Sequence, residues 1–290
     1  MIEQRDDKVK EVILVTGVKG MIGGYLAEGL SASGYRVVGV DKQRNGRDEK
    51  YQFFEIDLAD KQKLQEVVKN TGVNRIVHLA ALAHATGDKS MPYELYHHIN
   101  VECAENVFQT AKECGIPVLF ISTVDVYGFT KGVVTGTTKC EPVTFYGKTK
   151  RQAELKLMDS GVKYTIFRLS PVYTKEIKRD IQKRIYLKYP NLAYQIGKNT
   201  QYEVLNIDKA VECMVDWCGK VPDNRIHIIK DAEMLNTRQY IAEEKLAGNA
   251  KHVLRIPRWI MACGYAVLRL TGKNKYTFLI NKAVNPLRSE

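Results

Sequence analysis

The stretch EVILVTGVKGMIGGYLAEGL, residues 11 to 30, contains a glycine-rich turn between two different patterns of apolar residues. Residues 11 to 16 form a short run rich in β-branched side chains, which is typical of a strand covered on both faces. From Tyr25 onward, apolar residues recur at helical spacing until Gly34, which predicts a helix. The stretch therefore predicts a strand, a tight turn and a helix in direct succession.

Glycines at such a turn let the backbone N–H groups at the start of the helix approach a pyrophosphate. The residues that we predict to bind the nucleotide here are Gly17, Gly20, Met21, Ile22 and Gly23. The three glycines would permit the tight turn, the approach of the phosphates and close packing of the helix on the sheet. A purely structural turn is the alternative.

Asp41 ends the second apolar run, YRVVGV, about twenty residues after the glycine turn. An acid at this position can accept hydrogen bonds from the adenosine ribose hydroxyls and repel a 2′-phosphate, which favours NAD over NADP. Lys42 and Arg44 could each reach a phosphate, so NADP stays open as the less favoured cofactor.

Strand and helix patterns alternate along the first 170 residues. Further strands are predicted at 52 to 58, 74 to 81, 116 to 123 and 162 to 170, and helices around 61 to 70 and 92 to 114 and from Tyr146. This alternation predicts an α/β fold with a Rossmann-type doubly wound parallel sheet, helices on both faces and right-handed crossovers.

The pattern loosens beyond Ser170, which predicts a smaller, mainly helical C-terminal substrate lobe. We place the NAD-binding domain at residues 1–173 and the substrate-binding lobe at residues 174–290. The apolar run at residues 225–230 is predicted to return to the large sheet as a strand.

Eight short motifs follow one another in the first 175 residues. They are TGVKGMIGG at 16 to 24, Asp41, the Asp57-Leu58 pair, HLAA at 78 to 81, Asn100, STVDVYG at 122 to 128, YGKTK at 146 to 150 and FRLSPVY at 167 to 173. In this order the chain resembles the extended short-chain dehydrogenase/reductase family, in its NAD-dependent sugar-nucleotide epimerase/dehydratase branch. One such motif could arise by chance, but eight on the expected elements could hardly do so.

The resemblance implies that Asp57 and Leu58 lie along the adenine, and that Ala80 and Ala81 line the cofactor groove near the phosphates and ribose. It also implies a homodimer formed through the helices around 92 to 114 and 146 to 160.

Two further residues receive structural roles from the resemblance. Asn100 would fasten a helix and its adjoining strand. His78 falls inside a predicted strand, so we expect it to be packed within the sheet rather than catalytic.

Thr123, Tyr146 and Lys150 align with the catalytic Ser/Thr, Tyr and Lys of this family. A spacing of four residues also puts Tyr146 and Lys150 on one face of a helix. Tyrosine has a usual pKa of about 10 and is a poor base at neutral pH unless positive charge favours the phenolate. By the resemblance, Lys150 and the oxidised nicotinamide supply that charge, Lys150 binds the nicotinamide ribose, and Thr123 holds the reacting hydroxyl or carbonyl.

The residues after Thr123 bear on the reaction. Dehydratases that resemble this chain usually carry an acidic pair there, whereas Val124 and Asp125 follow here, so elimination of water is not expected and Asp125 could anchor the loop. An epimerase of a nucleotide-activated sugar, acting at C4 through a keto intermediate, is therefore predicted. An NAD(P)-dependent 4-keto-sugar reductase or dehydrogenase is the close alternative, and Asp41 slightly favours the epimerase.

A nucleotide-binding protein without catalysis is a third alternative. It is disfavoured because Thr123, Tyr146 and Lys150 are all present.

The 290 residues, 44% of them hydrophobic, suffice for a full hydrophobic core. The sequence contains no stretch of the roughly 20 apolar residues that a membrane-spanning helix needs, and its acidic start is unlike a secretory signal. A cytoplasmic protein is therefore expected. The six scattered cysteines lack metal-ligand spacing, so we predict no metal site.

The formal net charge of +11 is concentrated near the C-terminus, where eight Lys or Arg residues and one Glu follow residue 250. Charge alone would permit nucleic-acid binding, but no nucleic-acid motif accompanies it, so no such partner is predicted.

An apolar run, WIMACGYAVL, lies within residues 251–275. It contains Trp259 and is flanked by Arg255, Arg258, Arg269, Lys273 and Lys275. The first interpretation is a helix that closes the substrate lobe with exposed arginines. The second is an interfacial helix on an anionic membrane, which would suit a sugar carried on a polyprenyl diphosphate. Arginines here or at 178 to 188 could equally hold a substrate diphosphate.

Overall fold

The computed structural model describes residues 10–43, 50–83, 91–129, 132–177, 179–198, 200–270 and 274–290. The predictions made for Arg44 and Lys273 lie outside these residues, as do those for the side chain of Lys275 and for residue 178.

Strands occur along the whole described chain. They are β1 (Lys10–Thr16), β2 (Tyr35–Asp41), β3 (Gln52–Glu55), β4 (Arg75–His78), β5 (Val118–Thr123), β6 (Val133–Val134), β7 (Tyr164–Leu169), β8 (Val172–Tyr173), β9 (Tyr186–Lys188), β10 (Leu192–Ile196), β11 (Gln201–Tyr202), β12 (Leu205–Asn206), β13 (Ile226–Ile229), β14 (Leu235–Asn236), β15 (His252–Ile256) and β16 (Arg288–Ser289).

Helices separate most of the longer strands. They are α1 (Met21–Ala32), α2 (Lys61–Thr71), α3 (Tyr93–His97), α4 (Cys103–Cys114), α5 (Phe145–Asp159), α6 (Arg179–Ile185), α7 (Ile207–Cys218), α8 (Thr237–Leu246), α9 (Arg258–Leu270) and α10 (Asn274–Val284). A π-helical turn at His98–Glu102 joins α3 to α4, and a 3-10 helix at Val124–Tyr127 follows β5.

Seven strands form one sheet in the order β13-β7-β5-β4-β1-β2-β3. β1 pairs in parallel with β2 and β4, β2 with β3, and β4 with β5. From β3 onward this is the order 3-2-1-4-5 with β7 as the sixth strand, which is the order of doubly wound dinucleotide-binding sheets. The predicted fold class is confirmed, and the strand predicted at 225–230 is found as β13 at the edge of the sheet.

The central strands are continuous apolar runs because both faces of the sheet are covered. Ile13, Leu14 and Val15 of β1 are fully buried, and each such side chain contributes about 1.5–3 kcal/mol of burial free energy. Local signals delimit the helices. α2 begins after Asp60, whose carboxylate accepts the N–H of Lys63 at 3.1 Å, and ends at Gly72 in the left-handed conformation.

The chain divides into two compact units whose segments alternate along the sequence. The first unit contains the residues up to Ser122, residues 152–167 and residues 211–225. The second contains Thr123–Arg151, Arg168–Ala210 and Ile226–Glu290. The boundary placed between residues 173 and 174 stays a prediction.

The second unit has its own small sheets and core. β10 pairs in parallel with β15 and in antiparallel with β9, while β16 pairs in parallel with β6. Ile181, Ile185, Ala193 and Ile241 are among the buried residues of this core. The predicted helical lobe thus also contains a three-stranded sheet that the sequence pattern did not predict.

Two predicted helices differ from the observed elements. The helix predicted around 92 to 114 contains the π-helical turn at residues 98–102, which the regular apolar spacing did not indicate. Residues 252–256, placed by the sequence in a helical segment, form β15, because they pair with β10 through the backbone and Pro257 separates them from α9. In the part of the chain that is described, no helix has the length and apolar character needed to cross a bilayer.

The π-helical turn holds Asn100, which is 1% exposed and fastens the segment after β4. Its Oδ1 accepts the N–H of Leu82 at 2.7 Å, and its Nδ2 donates to the carbonyl of Leu82 at 3.1 Å. These two hydrogen bonds join Asn100 to the segment that follows β4, in agreement with its predicted role of fastening a helix to an adjoining strand.

We expect Asn100→Ala to lower the free energy of unfolding by about 1–3 kcal/mol, because both backbone groups of Leu82 lose a buried partner. Asn106→Ala is the matched control, since half-buried Asn106 donates to the carbonyl of Leu58 at 2.9 Å and water can replace it. Urea denaturation measures both, and equal losses in the two variants would contradict the prediction.

Candidate functional site

The glycine turn packs backbone against backbone. Gly17 has a φ of +71°, and a Cβ atom on it would stand 2.7 Å from the Cα of Ala80. A Cβ on Gly23 would stand 2.3 Å from the carbonyl oxygen of Gly17. These positions accept only glycine, because real Cβ atoms do not approach backbone atoms so closely. The turn thus has the close packing that a phosphate-binding loop requires.

The N-terminus of α1 lies at this turn and carries Met21 and Ile22. Gly20 is the N-cap residue, and among the described residues no side chain caps this helix end. A helix N-terminus presents backbone N–H groups and a partial positive charge to an anion. The five predicted residues of the turn therefore lie together at an end suited to a pyrophosphate.

Asp41 is the last residue of β2 and is half-buried. Its Oδ2 accepts the N–H of Lys19 at 2.9 Å, and its Oδ1 accepts the N–H of Lys42 at 2.8 Å. The carboxylate therefore lies against the glycine turn. A carboxylate has about four acceptor sites, so two are left for ribose hydroxyls.

The remaining predicted cofactor residues follow β3 and β4. Asp57 is exposed, and its Oδ1 accepts the N–H of Ala59 at 3.0 Å, while Leu58 is buried. Ala80 and Ala81 are half-buried, and Ala80 lies against Gly17 as described above.

His78 is packed inside the first unit, as the sequence indicated. Its ring is stacked on Phe120 at a centroid distance of 5.7 Å and meets Phe108 edge-on at 5.9 Å. Its Nδ1 lies 2.6 Å from the hydroxyl of Thr16. His78 is only 1% exposed, and these contacts indicate that its role is structural.

Thr123, Tyr146 and Lys150 all belong to the second unit. Thr123 is the last residue of β5, and its Oγ1 accepts the N–H of Asp125 at 3.2 Å at the start of the 3-10 helix. Tyr146 is half-buried in the first turn of α5, and Lys150 lies one turn later with 1% exposure. A lysine is rarely buried to this extent, so its position is unusual for a structural residue.

Gly147 brings these two segments together. A Cβ on Gly147 would stand 2.8 Å from the carbonyl oxygen of Asp125, and its N–H is donated to Oγ1 of Thr144 at 2.9 Å. Because Gly147 lacks a side chain, the residue after Tyr146 lies directly on the turn that follows Thr123.

A cavity lies within the second unit beside this turn. Residues from five parts of the chain line it, among them Asp125, Ser170, Arg184, Tyr202, Glu203 and Lys282. Asp125 accepts a hydrogen bond from Nζ of Lys282 at 2.6 Å. Burial raises the pKa of Tyr202 to about 12, and the Arg184 guanidinium lies 5.1 Å from the centre of its ring.

Sequence reasoning missed several of these residues. Lys282 and Tyr202 belong to no recognised motif. Gly147 belongs to the YGKTK motif, but the sequence assigned it no role of its own. Arg184 lies within the 178 to 188 segment, whose basic character was the one available signal. Among the described residues no group of three potential metal ligands was found.

The comparisons with known proteins agree with this fold. Residues 13–214 match the profile of the NAD dependent epimerase/dehydratase family, and the chain belongs to that family. This confirms the predicted resemblance, the class of enzyme and NAD as its cofactor.

The UDP-glucose 4-epimerase of Rhizobium meliloti (strain 1021) is a relative that is 33% identical over 155 residues, which are 52% of this chain and 47% of that protein. The UDP-glucuronate 4-epimerase of Thermodesulfobacterium geofontis (strain OPF15) is 28% identical over 49% of each chain. The chain therefore spans about half the length of these curated relatives.

A solved structure with a similar fold is the UDP-glucuronic acid 4-epimerase from Bacillus cereus in complex with NAD. It superposes with a TM-score of 0.66 at 22% identity over 84% of this chain and 87% of that chain. At this identity, the similarity shows the fold.

The glycine turn offers an internal comparison, because Gly23 and Gly24 are adjacent in α1. A Cβ on Gly23 meets backbone, whereas no described atom lies within 4 Å of a Cβ on Gly24. We expect Gly23→Ala to weaken NAD binding at least about tenfold, because the turn must open to relieve the contact. Gly24→Ala should stay within about twofold and raise the melting temperature slightly.

Isothermal titration calorimetry with NAD, on protein from which bound NAD has been removed, and thermal unfolding of both variants check this expectation. Equal NAD affinity in the two variants would show that the close contact at Gly23 does not shape the site.

Proposed function

We propose that this protein is an NAD-dependent epimerase that inverts C4 of a nucleotide-activated sugar through a keto intermediate. The observation that carries the proposal is the junction at Gly147, where the Tyr146 segment lies on the turn after Thr123. A protein can retain a family's fold after it has lost the catalytic residues. Here Thr123, Tyr146 and Lys150 are all present in one unit, and Lys150 is buried.

The residues of the first unit fit NAD. The glycine turn and the open N-terminus of α1 would hold the pyrophosphate, and Asp41 would accept hydrogen bonds from the adenosine ribose. Asp57, Leu58, Ala80 and Ala81 would line the adenine and ribose. When bound, NAD supplies a hydride acceptor that later returns the hydride.

The side chains of the second unit would carry the proton. The Oη of Tyr146 would remove the proton of the sugar hydroxyl and later return it to the keto oxygen. The buried ammonium of Lys150, one turn along the same helix face, would favour the phenolate of Tyr146. The hydroxyl of Thr123 would hold the reacting oxygen in place.

Asp125 argues for epimerisation over dehydration. Elimination needs an acid and a base beside the sugar, yet Val124 is apolar and Asp125 is paired with Lys282 at 2.6 Å. Asp125 would thus anchor α10 to the catalytic turn. This leaves the simplest reaction, in which the hydride is returned to the opposite face of the same sugar carbon.

The cavity of the second unit would hold the sugar carrier. Arg184 places a guanidinium on its wall, where Lys282 is already paired with Asp125, and a guanidinium can bind a diphosphate with two parallel hydrogen bonds. Several relatives of this chain carry names of UDP-sugar 4-epimerases. A uridine diphosphate sugar is therefore the first substrate to test.

Tyr146→Phe should lower kcat by about 10²–10⁴-fold, because the variant lacks the hydroxyl that moves the proton. The bound NAD should be retained. Tyr189→Phe is the control, since the Tyr189 side chain is 48% exposed and lies outside the catalytic turn. Turnover of Tyr146→Phe within about tenfold of the parent would reject Tyr146 as the base.

The cofactor content separates epimerase from reductase. We expect mass spectrometry of the denatured protein to find close to one NAD per chain, because an epimerase recovers its cofactor within each turnover. Proton NMR should then show C4 interconversion of UDP-glucose or UDP-glucuronic acid without added NAD. An empty site that binds NADPH more tightly than NAD would instead make the protein a 4-keto-sugar reductase.

A second candidate substrate is a sugar on a polyprenyl diphosphate. The exposed apolar residues of α9 favour it, since Trp259 and Leu270 are 68% and 89% exposed. The same NMR assay with a detergent-dispersed lipid-linked sugar decides between the carriers. The homodimer, the cytoplasmic location and the absence of nucleic-acid binding stay predictions.

A further inference from the structure

The helix α9 is rich in apolar side chains, yet none of its thirteen described residues is buried. At 100° per residue, Trp259, Cys263, Val267 and Leu270 fall on one stripe of the helix, and Ile260 lies beside Val267. The exposed fractions of Trp259, Ile260, Val267 and Leu270 are 68, 44, 61 and 89%. One face of the helix is therefore a continuous apolar surface open to solvent.

The other side of α9 has a neighbour. Met261, Gly264, Tyr265 and Leu268 are half-buried, and α9 packs against α10. The helix is thus held in place by one face while the stripe points away. An exposed apolar surface of this kind on an otherwise polar protein indicates a binding surface.

Basic side chains border the stripe. Arg258 and Arg269 lie within about 20° of each other on the helix wheel, on the side next to Trp259 and Leu270. Three residues before α9 begins, Arg255 of β15 is also exposed. The chain from residue 251 onward has eight basic residues and one acidic residue, so this region is strongly positive.

We infer that α9 docks on an anionic lipid surface, with the apolar stripe at the boundary of the acyl chains and the arginines among the lipid phosphates. Three observations favour lipid over a second copy of the chain. The arginines at the border of the stripe would face each other across a twofold interface, whereas lipid phosphates neutralise them. Trp259 has the ring that prefers the membrane interface, and the arginine stems can extend toward water.

The docked helix would also bring the cavity of the second unit near the lipid. α10, which packs on α9, contributes Lys282 and Asn281 to the wall of that cavity. Membrane docking itself does not rest on the proposed epimerase activity, because no residue of the stripe lines the cavity or belongs to the catalytic turn.

Co-sedimentation of the full chain with vesicles tests the inference. We expect binding to phosphatidylcholine vesicles that contain about 30% phosphatidylglycerol, and at least about fivefold weaker binding to vesicles of phosphatidylcholine alone. Raising the salt to about 0.5 M should weaken binding to the anionic vesicles, because exposed charges are then screened. Absence of binding to anionic vesicles at low salt would overturn the proposal.

The variants Leu270→Glu and Leu246→Glu form a matched pair. Both leucines end a helix, α9 and α8, and they are 89% and 91% exposed, so both variants should fold and both change the charge equally. We expect Leu270→Glu to lower the bound fraction at least about fivefold and Leu246→Glu to leave it unchanged. Equal effects of the two substitutions would mean that general charge alone explains the binding.

The two tryptophans provide a site-specific readout. Trp217 is 5% exposed and Trp259 is 68% exposed, so a blue shift of the emission on anionic vesicles should come from Trp259. Trp259→Phe should abolish the shift while the protein still sediments with the vesicles. A dimer in sedimentation velocity that Leu270→Glu dissociates, without lipid binding by the parent, would show that a second copy covers the stripe and would reject the membrane.

Discussion

The turn from β1 to α1 is constrained by contact between backbone atoms, and the first unit depends on it. Gly17 lies against Ala80 and Gly23 lies over the carbonyl of Gly17, so α1 starts directly above the sheet. β1 is the strand between β2 and β4, the point at which the strand order reverses and a crevice opens. A side chain at either glycine would separate the helix from the sheet at the place where a nucleotide would bind.

In the second unit, glycines likewise allow close contact between backbone atoms, at a different turn. Gly147 lets α5 lie on the carbonyl of Asp125, and Gly128, with a φ of +68°, is so close to the backbone of Glu141 that no Cβ would fit. A buried polar contact lies in the adjoining residues of the first unit. Ser122, which precedes Thr123, donates to the buried carboxylate of Glu154 at 2.6 Å, and Glu154 follows Lys150 by one helical turn. Such a buried hydrogen bond is costly to break, so it holds together the parts of β5 and α5 that belong to the first unit.

Much of the first unit could be predicted because its signals are local. A parallel strand covered on both faces is a continuous apolar run, and the glycine spacing marks the turn. The π-helical turn at residues 98–102 could not be predicted, since its apolar spacing matches an ordinary helix. The pairing of β15 with β10 and the contact of Asp125 with Lys282, 157 residues away, depend on tertiary structure that no local pattern encodes.

The same difference between local and distant signals explains why the chemistry was easier to predict than the substrate. The proposed hydride transfer needs three side chains, and two short motifs contain them: Thr123 lies in STVDVYG, and Tyr146 and Lys150 lie in YGKTK. Under the proposed function, recognition of the carrier would instead fall to Arg184, Tyr202 and Lys282, which come from α6, β11 and α10. Two of these are cations, and the third is a phenol, which is neutral at neutral pH like any ordinary tyrosine. Burial raises the pKa of Tyr202 further, to about 12. Asp125 and Glu203 line the same cavity, and Asp125 is paired with Lys282, so within the proposed function Arg184 is the side chain to which we assign the diphosphate. The choice between a nucleotide and a lipid carrier then depends on what lies beyond the diphosphate.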